Sequence, residues 1–280
     1  MKLNYRNSKN AEAVAKFWGK PLDRPDWYKI EALSEDEAEI IIFDIIGFPF
    51  NDAAELVRTL AGMKQKTITV RINSPGGDVF DAVAIFNALQ SHPSKIITRV
   101  ESLAASAASL IALAGKQVQA YQNAILMLHE PWVYSAGNQY DLREIAEILG
   151  KISENMVDIY TGNSNVGKKE IREMMKAETW LNAKEAKEKG FIDTILDGKT
   201  AKAQFDLSMF AHVPDGIEGA RAGRDLTERE IERVLRDAGA SRSFAKAVAA
   251  GRSGGTLGDQ RDVEDLRDTL KSIILNLERR

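Results

Sequence analysis

The chain has 280 residues, 44% of them apolar and 28% charged, with a formal net charge of −3 and no cysteine. That length can bury a large core, and the near balance of charge argues against generic nucleic-acid binding. The missing cysteine excludes disulfides and a thiolate nucleophile, and three histidines with no ligand spacing around them give no basis for a zinc site, so no metal or cofactor is expected.

Residues 1–29 show no long period and read as an N-terminal arm. Its polar start MKLNYRNSKN lacks a signal-peptide core, and the longest apolar stretch, around Leu103–Ala114, is too short for a membrane span. The chain is therefore expected in the cytoplasm. Glu39–Ile46 is the first convincing strand, followed by a helix capped at Asn51 or Asp52 and stopped by Gly62. Thr67–Ile72 is an alternating, β-branched strand that runs into Asn73-Ser74-Pro75-Gly76-Gly77, strong turn chemistry. A helix over Asp78–Gln90 follows, blocked by Pro93. Lys95–Val100 is the next strand, feeding a buried helix over Ala105–Gly115. Short strands at Gln117–Tyr121 and Ala124–Leu128 lead to His129-Glu130-Pro131. Asp141–Ile159 then carries a broad apolar helical stripe, and Ala183–Lys189 is a helix ended by Gly190. Repeated strand, turn and helix predict an α/β fold with active groups at the carboxyl ends of strands.

Three strand ends thus supply a glycine turn, hydroxyls at Ser102, Ser106 and Ser109, and an imidazole at His129. A small-residue helix with serines has many structural uses when it stands alone. A hydroxyl at a strand-to-helix corner beside a histidine is instead the arrangement that activates a serine.

The segments INSPGG (Ile72–Gly77), LAAS (Leu103–Ser106) and MLHEP (Met127–Pro131) resemble the signature regions of the Clp-type serine peptidases. With ETWLNAKEAKEKGFID (Glu178–Asp193) added, the chain resembles the ClpP-like head-maturation proteases of tailed bacteriophages and prophages over about Ile30–Leu196. The resemblance implies a ClpP/crotonase-like spiral of ββα units over residues 30–197, and metal-free endopeptidase activity. It also implies a handle helix at the Asp141–Ile159 stripe, through which rings of copies pack. It selects Ser106 as nucleophile and His129 as general base, and leaves Ser102 and Ser109 to helix-corner hydrogen bonding or small-residue packing. An aspartate orients the imidazole in relatives, and the matching position is Glu178. Asp193 is the alternative carboxylate and Glu130 a weaker one. The backbone N–H groups of Gly77 and Ala107 would form the oxyanion hole. Gly76, Asp78, Val79, Pro131 and Trp132 are the expected peptide-binding positions, receiving substrate by strand addition.

Residues 198–225 read as a linker. Residues 226–280 read as a charged helical tail, with Val263, Leu266, Leu270, Ile273, Ile274 and Leu277 as its stripe. Similar tails occur in phage head-maturation proteases, and nearly balanced charge favours protein contact over DNA. The implied function is cleavage of capsid or scaffold proteins during head assembly, in the host cytoplasm or inside the prohead, by a homo-oligomeric ring. A Clp-type unfoldase is a candidate partner, whereas no nucleic acid or membrane is expected as one. The competing classes are a noncatalytic capsid-assembly module and acyl-CoA chemistry on a related fold.

Overall fold

Residues 27–47, 53–133, 135, 137–198, 205, 207 and 210–214 are described in the computed structural model. They fall within one unit, residues 1–222. Residues 1–26 of the expected arm and the whole of the expected 226–280 tail lie outside the described residues.

Period-two alternation builds the sheet, because successive side chains on a strand point to opposite faces. In β2 (Glu37–Ile42) Ala38, Ile40 and Ile42 are buried, and in β3 (Thr67–Ser74) Ile68, Val70, Ile72 and Ser74 are. An N-terminal strand, β1 (Tyr28–Ala32), pairs antiparallel with β2 and begins inside the stretch read as an arm. Helix α1 (Ala53–Gly62) connects β2 to β3 and packs on α2 (Val79–Ser91), which leads to β4 (Lys95–Ala105). Asp78 caps α2, its carboxylate accepting from the N–H groups of Phe80 and Asp81. Helix α3 (Ala107–Ala112) is buried at every residue. Beyond it come β5 (Gln117–Tyr121), β6 (Ile125–Leu128), α4 (Gln139–Gly162), α5 (Lys168–Lys176), β7 (Thr179–Asn182), α6 (Ala183–Glu188) and β8 (Thr194–Leu196).

The sheet runs β1-β2-β3-β4-β5-β8, with β6 and β7 off this path. Strand β4 is its spine. Residues Lys95–Val100 and Ala104 pair parallel with β3, Ile97–Val100 pair with β5, and Leu103–Ala105 pair with β6. It continues as strand past the expected end at Val100 and takes in Ala105, read from the sequence as the first helical residue, because β6 supplies a ladder for Leu103–Ala105. Strand β7 completes this side, antiparallel to β6. The architecture is the mixed α/β arrangement that the resemblance implies.

Parallel pairing brings three carboxyl ends together. Ser74 lies opposite Ala104, and Ala105 opposite Met127, so β3, β4 and β6 release their next residues at one place. Those residues are the glycine turn, Ser106 and His129.

Candidate active site

Ser106 occupies the corner between β4 and α3 at φ 54° and ψ −126°, a conformation that costs a non-glycine residue about 1–3 kcal/mol. Several contacts hold it there. Its N–H donates to Met127 O at 2.9 Å, and its carbonyl accepts from Ser109 Oγ at 2.6 Å. Ser109 Oγ lies 2.7 Å from the hydroxyl of Tyr160, which is wholly enclosed. Ser109 spends its single proton on the Ser106 carbonyl, so Tyr160 must donate to Ser109. Burial favours the neutral phenol by pushing the Tyr160 pKa well above its ordinary value. The chain Tyr160–Ser109–Ser106 thus runs from α4 through α3 to the corner. Ser109 is structural, and Ser102 sits within β4, four residues before the corner.

His129 Nε2 lies 2.6 Å from Ser106 Oγ. When Nε2 accepts the hydroxyl proton, the ring carries its own proton on Nδ1. Burial is the main influence on this imidazole and lowers its pKa from 6.5 to about 4, while the negative charge of Glu178 pulls the other way. The ring is therefore neutral at ordinary pH, the form a general base requires.

Glu178 itself sits at φ 53°, just before β7. Its two carboxylate oxygens accept from backbone N–H groups, Oε2 from Ala211 at 3.0 Å and Oε1 from His212 at 2.7 Å. No hydrogen bond joins it to His129 among the described residues, so its influence on the ring is electrostatic. Asp193, the alternative carboxylate, is engaged elsewhere. Its Oδ2 accepts from Val118 N–H at 2.7 Å, tying β5 to the start of β8. Val118 pairs with Thr98, eight residues before Ser106 on β4 and roughly 25 Å back along the strand at the usual rise per residue. Glu130 likewise turns away, accepting from Ser153 Oγ at 2.5 Å.

The glycine turn meets the corner directly. A Cβ on Gly76 would stand 2.8 Å from both Ser106 Cβ and Ala105 O, and 3.1 Å from Ala107 N. Gly76 and Gly77 have φ of 102° and 148°, both in the region that only glycine enters without strain. Ile46 donates to Gly76 O at 2.8 Å and accepts from Asp78 N–H at 2.8 Å. In such a bridge the intervening residue turns its own groups to the opposite side, which directs the Gly77 N–H away from Ile46. Ser74 fixes the turn from within, donating to Asp44 O at 2.6 Å and accepting from Gly76 N–H at 3.1 Å. Nothing in the sequence singled out Ser74 or Tyr160 for this, since their partners lie 30 and 51 residues away.

The peptide-binding positions divide. Asp78 is buried and its side chain serves as the α2 cap, so the strand addition expected here concerns its backbone. Val79 packs partly into the core, whereas Pro131 is half-buried and Trp132 is 44% exposed just beyond the histidine. Among the described residues no three His, Cys, Asp or Glu side chains gather to hold a metal ion.

The chain is similar to known proteins over this region. The Clp protease family profile matches residues 28–199. The chain is 32% identical over 154 residues to the ATP-dependent Clp protease proteolytic subunit of Lactococcus lactis subsp. cremoris, covering 53% of this chain and 77% of that protein. It is 31% identical over 153 residues to the same-named protein of Streptococcus uberis, covering 53% and 78%. For that of Bacteroides fragilis the figures are 30% over 133 residues, covering 47% and 64%. With its strand ends, serine corner and glycine turn all inside the matched region, this chain belongs to the Clp protease family.

Proposed function

We propose that the protein is a serine endopeptidase that cleaves capsid or scaffold proteins during maturation of a phage or prophage head, through an acyl-enzyme on Ser106. The observation that carries the chemistry is the 2.6 Å approach of Ser106 Oγ to His129 Nε2 at a strained strand-to-helix corner. Oγ attacks the scissile carbonyl carbon as its proton passes to Nε2. The carbonyl oxygen takes the negative charge between the N–H groups of Gly77 and Ala107. Collapse breaks the C–N bond, and the leaving amine takes the proton from Nε2. Water then repeats the sequence on the acyl-enzyme and restores the serine. Glu178 stabilises the imidazolium by charge, which opposes the cost of protonating a buried ring.

An extended peptide would lie beside Gly76–Val79, flanked by Pro131 and Trp132. Two features support assembly of copies into a ring. The relatives are named as proteolytic subunits of an ATP-dependent protease, and Leu142, Ile145, Ile148 and Leu149 on α4 are exposed or half-buried in the single chain. A Clp-type unfoldase is the corresponding candidate partner. The head-maturation role is supported by the Glu178–Asp193 resemblance and by the charged helical pattern read over residues 226–280.

The test is incubation of wild-type and S106A protein with capsid and scaffold proteins, with fragments mapped by mass spectrometry. Wild-type-specific cleavage is expected. Capsid binding with no cleavage by the wild type would replace this reading with a noncatalytic assembly module.

A further inference from the structure

The family match ends at residue 199, yet residues beyond it lie against the candidate catalytic groups. Alternation along β4, β6 and β7 explains how. Ala104, Leu126, Leu128 and Leu181 enter the main core, while Leu103, Ala105, Met127 and Trp180 face the other way. That second face is covered by Leu207 and Phe210, with Phe205 and Val213 alongside. From this cover two sets of contacts reach functional residues. The Phe210 ring meets the His129 ring edge to face, centroids 5.5 Å apart at 88°, and is itself backed by Trp180 at 5.5 Å and 81°. The next two residues donate the N–H bonds that occupy both oxygens of Glu178.

We propose that the described residues between Leu207 and Val213 are a working part of the catalytic centre: Phe210 fixes the plane of the His129 ring, and the Ala211 and His212 amides anchor Glu178. The inference rests on the serine-hydrolase reading above. A ring tethered through Nε2 alone can still tilt about that bond, and an aromatic edge-to-face contact opposes the tilt. A glutamate side chain has many rotamers, and two charge-assisted hydrogen bonds select one. Phe210 is thus a positioning residue. It also contributes to the burial that keeps the ring neutral. Among the described residues, the polar groups around His129 are the Ser106 hydroxyl from the head of α3, Glu178 from the turn before β7, and the adjacent Glu130, whose carboxylate is taken by Ser153. The His212 backbone N–H donates to Glu178. Glu178 is the charge that acts on the ring.

The experiment measures the rate at which a fluorophosphonate probe labels Ser106 in the full-length protein, from acid to neutral pH, with the site mapped by mass spectrometry. F210A should label roughly tenfold or more slowly at neutral pH, as expected for a displaced base. Its acid limb should move up from about 4 toward the ordinary 6.5, because a less buried imidazole protonates more readily. F210Y, which keeps the ring, should restore both. A211P removes one anchoring N–H while leaving Phe210, and should slow labelling roughly fivefold; it carries the test if F210A does not fold. Wild-type rate and an unmoved limb in F210A, with only a lower melting temperature, would reduce Phe210 to packing and overturn the proposal. Faster labelling of F210A would overturn it too, by making the segment a restraint. Failure of the wild type to label at Ser106 would instead sink the serine-hydrolase reading beneath it.

Discussion

The hydroxyl relay Tyr160–Ser109–Ser106 makes a quantitative claim about how the strained corner is held. Replacing Tyr160 with Phe removes one hydrogen bond and leaves Ser109 still donating to the Ser106 carbonyl, a loss of about 1 kcal/mol. Ser109→Ala does more. It removes both bonds and leaves the enclosed tyrosine hydroxyl without its acceptor, which costs about 2–4 kcal/mol. The double variant S109A/Y160F no longer buries that hydroxyl, so its cost should fall below the sum of the singles by about 1 kcal/mol or more. Midpoints of urea unfolding give the stabilities. Ser106 labelling by a fluorophosphonate gives the state of the corner, and S109A should slow it more than Y160F does. Equal destabilisation by S109A and Y160F, additive in the double variant and with wild-type labelling throughout, would refute the relay.

Three other outcomes are expected. Gly76→Ala places a Cβ 2.8 Å from Ser106 Cβ at φ 102°, and should abolish Ser106 labelling while costing at least about 2 kcal/mol in unfolding measurements. The pKa of His129 is about 4 in the fold against 6.5 ordinarily, so between these values the unfolded chain binds the proton first. The stability that the neutral ring confers is full above pH 6.5 and lost as pH falls through 4, a change of up to about 3 kcal/mol that thermal melts should show flattened in His129→Gln. Asp193→Ala deletes the acceptor for Val118 N–H, lowering stability by about 1–2 kcal/mol while Ser106 labelling keeps its wild-type rate.

The parts legible in the sequence were those whose cause is local. Gly76 and Gly77 announce a turn whatever surrounds them, and the alternating Thr67–Ile72 stretch appears as the body of β3. The meeting of Ser106 with His129 followed from which strand ends adjoin, a relation the resemblance carried and parallel pairing produces. What escaped was set at long range. Strand β7 has four residues and one partner, too little for a periodic signal. Asp193 and Glu178 look alike as carboxylates and only the resemblance ranks them in the sequence; the fold commits Asp193 to the β5–β8 crosslink and brings the Glu178 charge to bear on His129. Phe210 reads as an isolated apolar residue in a linker, since nothing nearby reveals that β4, β6 and β7 leave a second apolar face to cover.

Strand β4 has a consequence for how this scaffold can vary. Because one strand answers to β3 along one edge and to β5 and then β6 along the other, a single inserted or deleted residue within it would put two ladders out of phase at once. A length change would disturb the sheet less in connections such as Met63–Lys66 or Gln122–Asn123, where no ladder has to be re-threaded. The nucleophile therefore follows directly on a strand that tolerates little editing, while such connections leave more freedom to diverge.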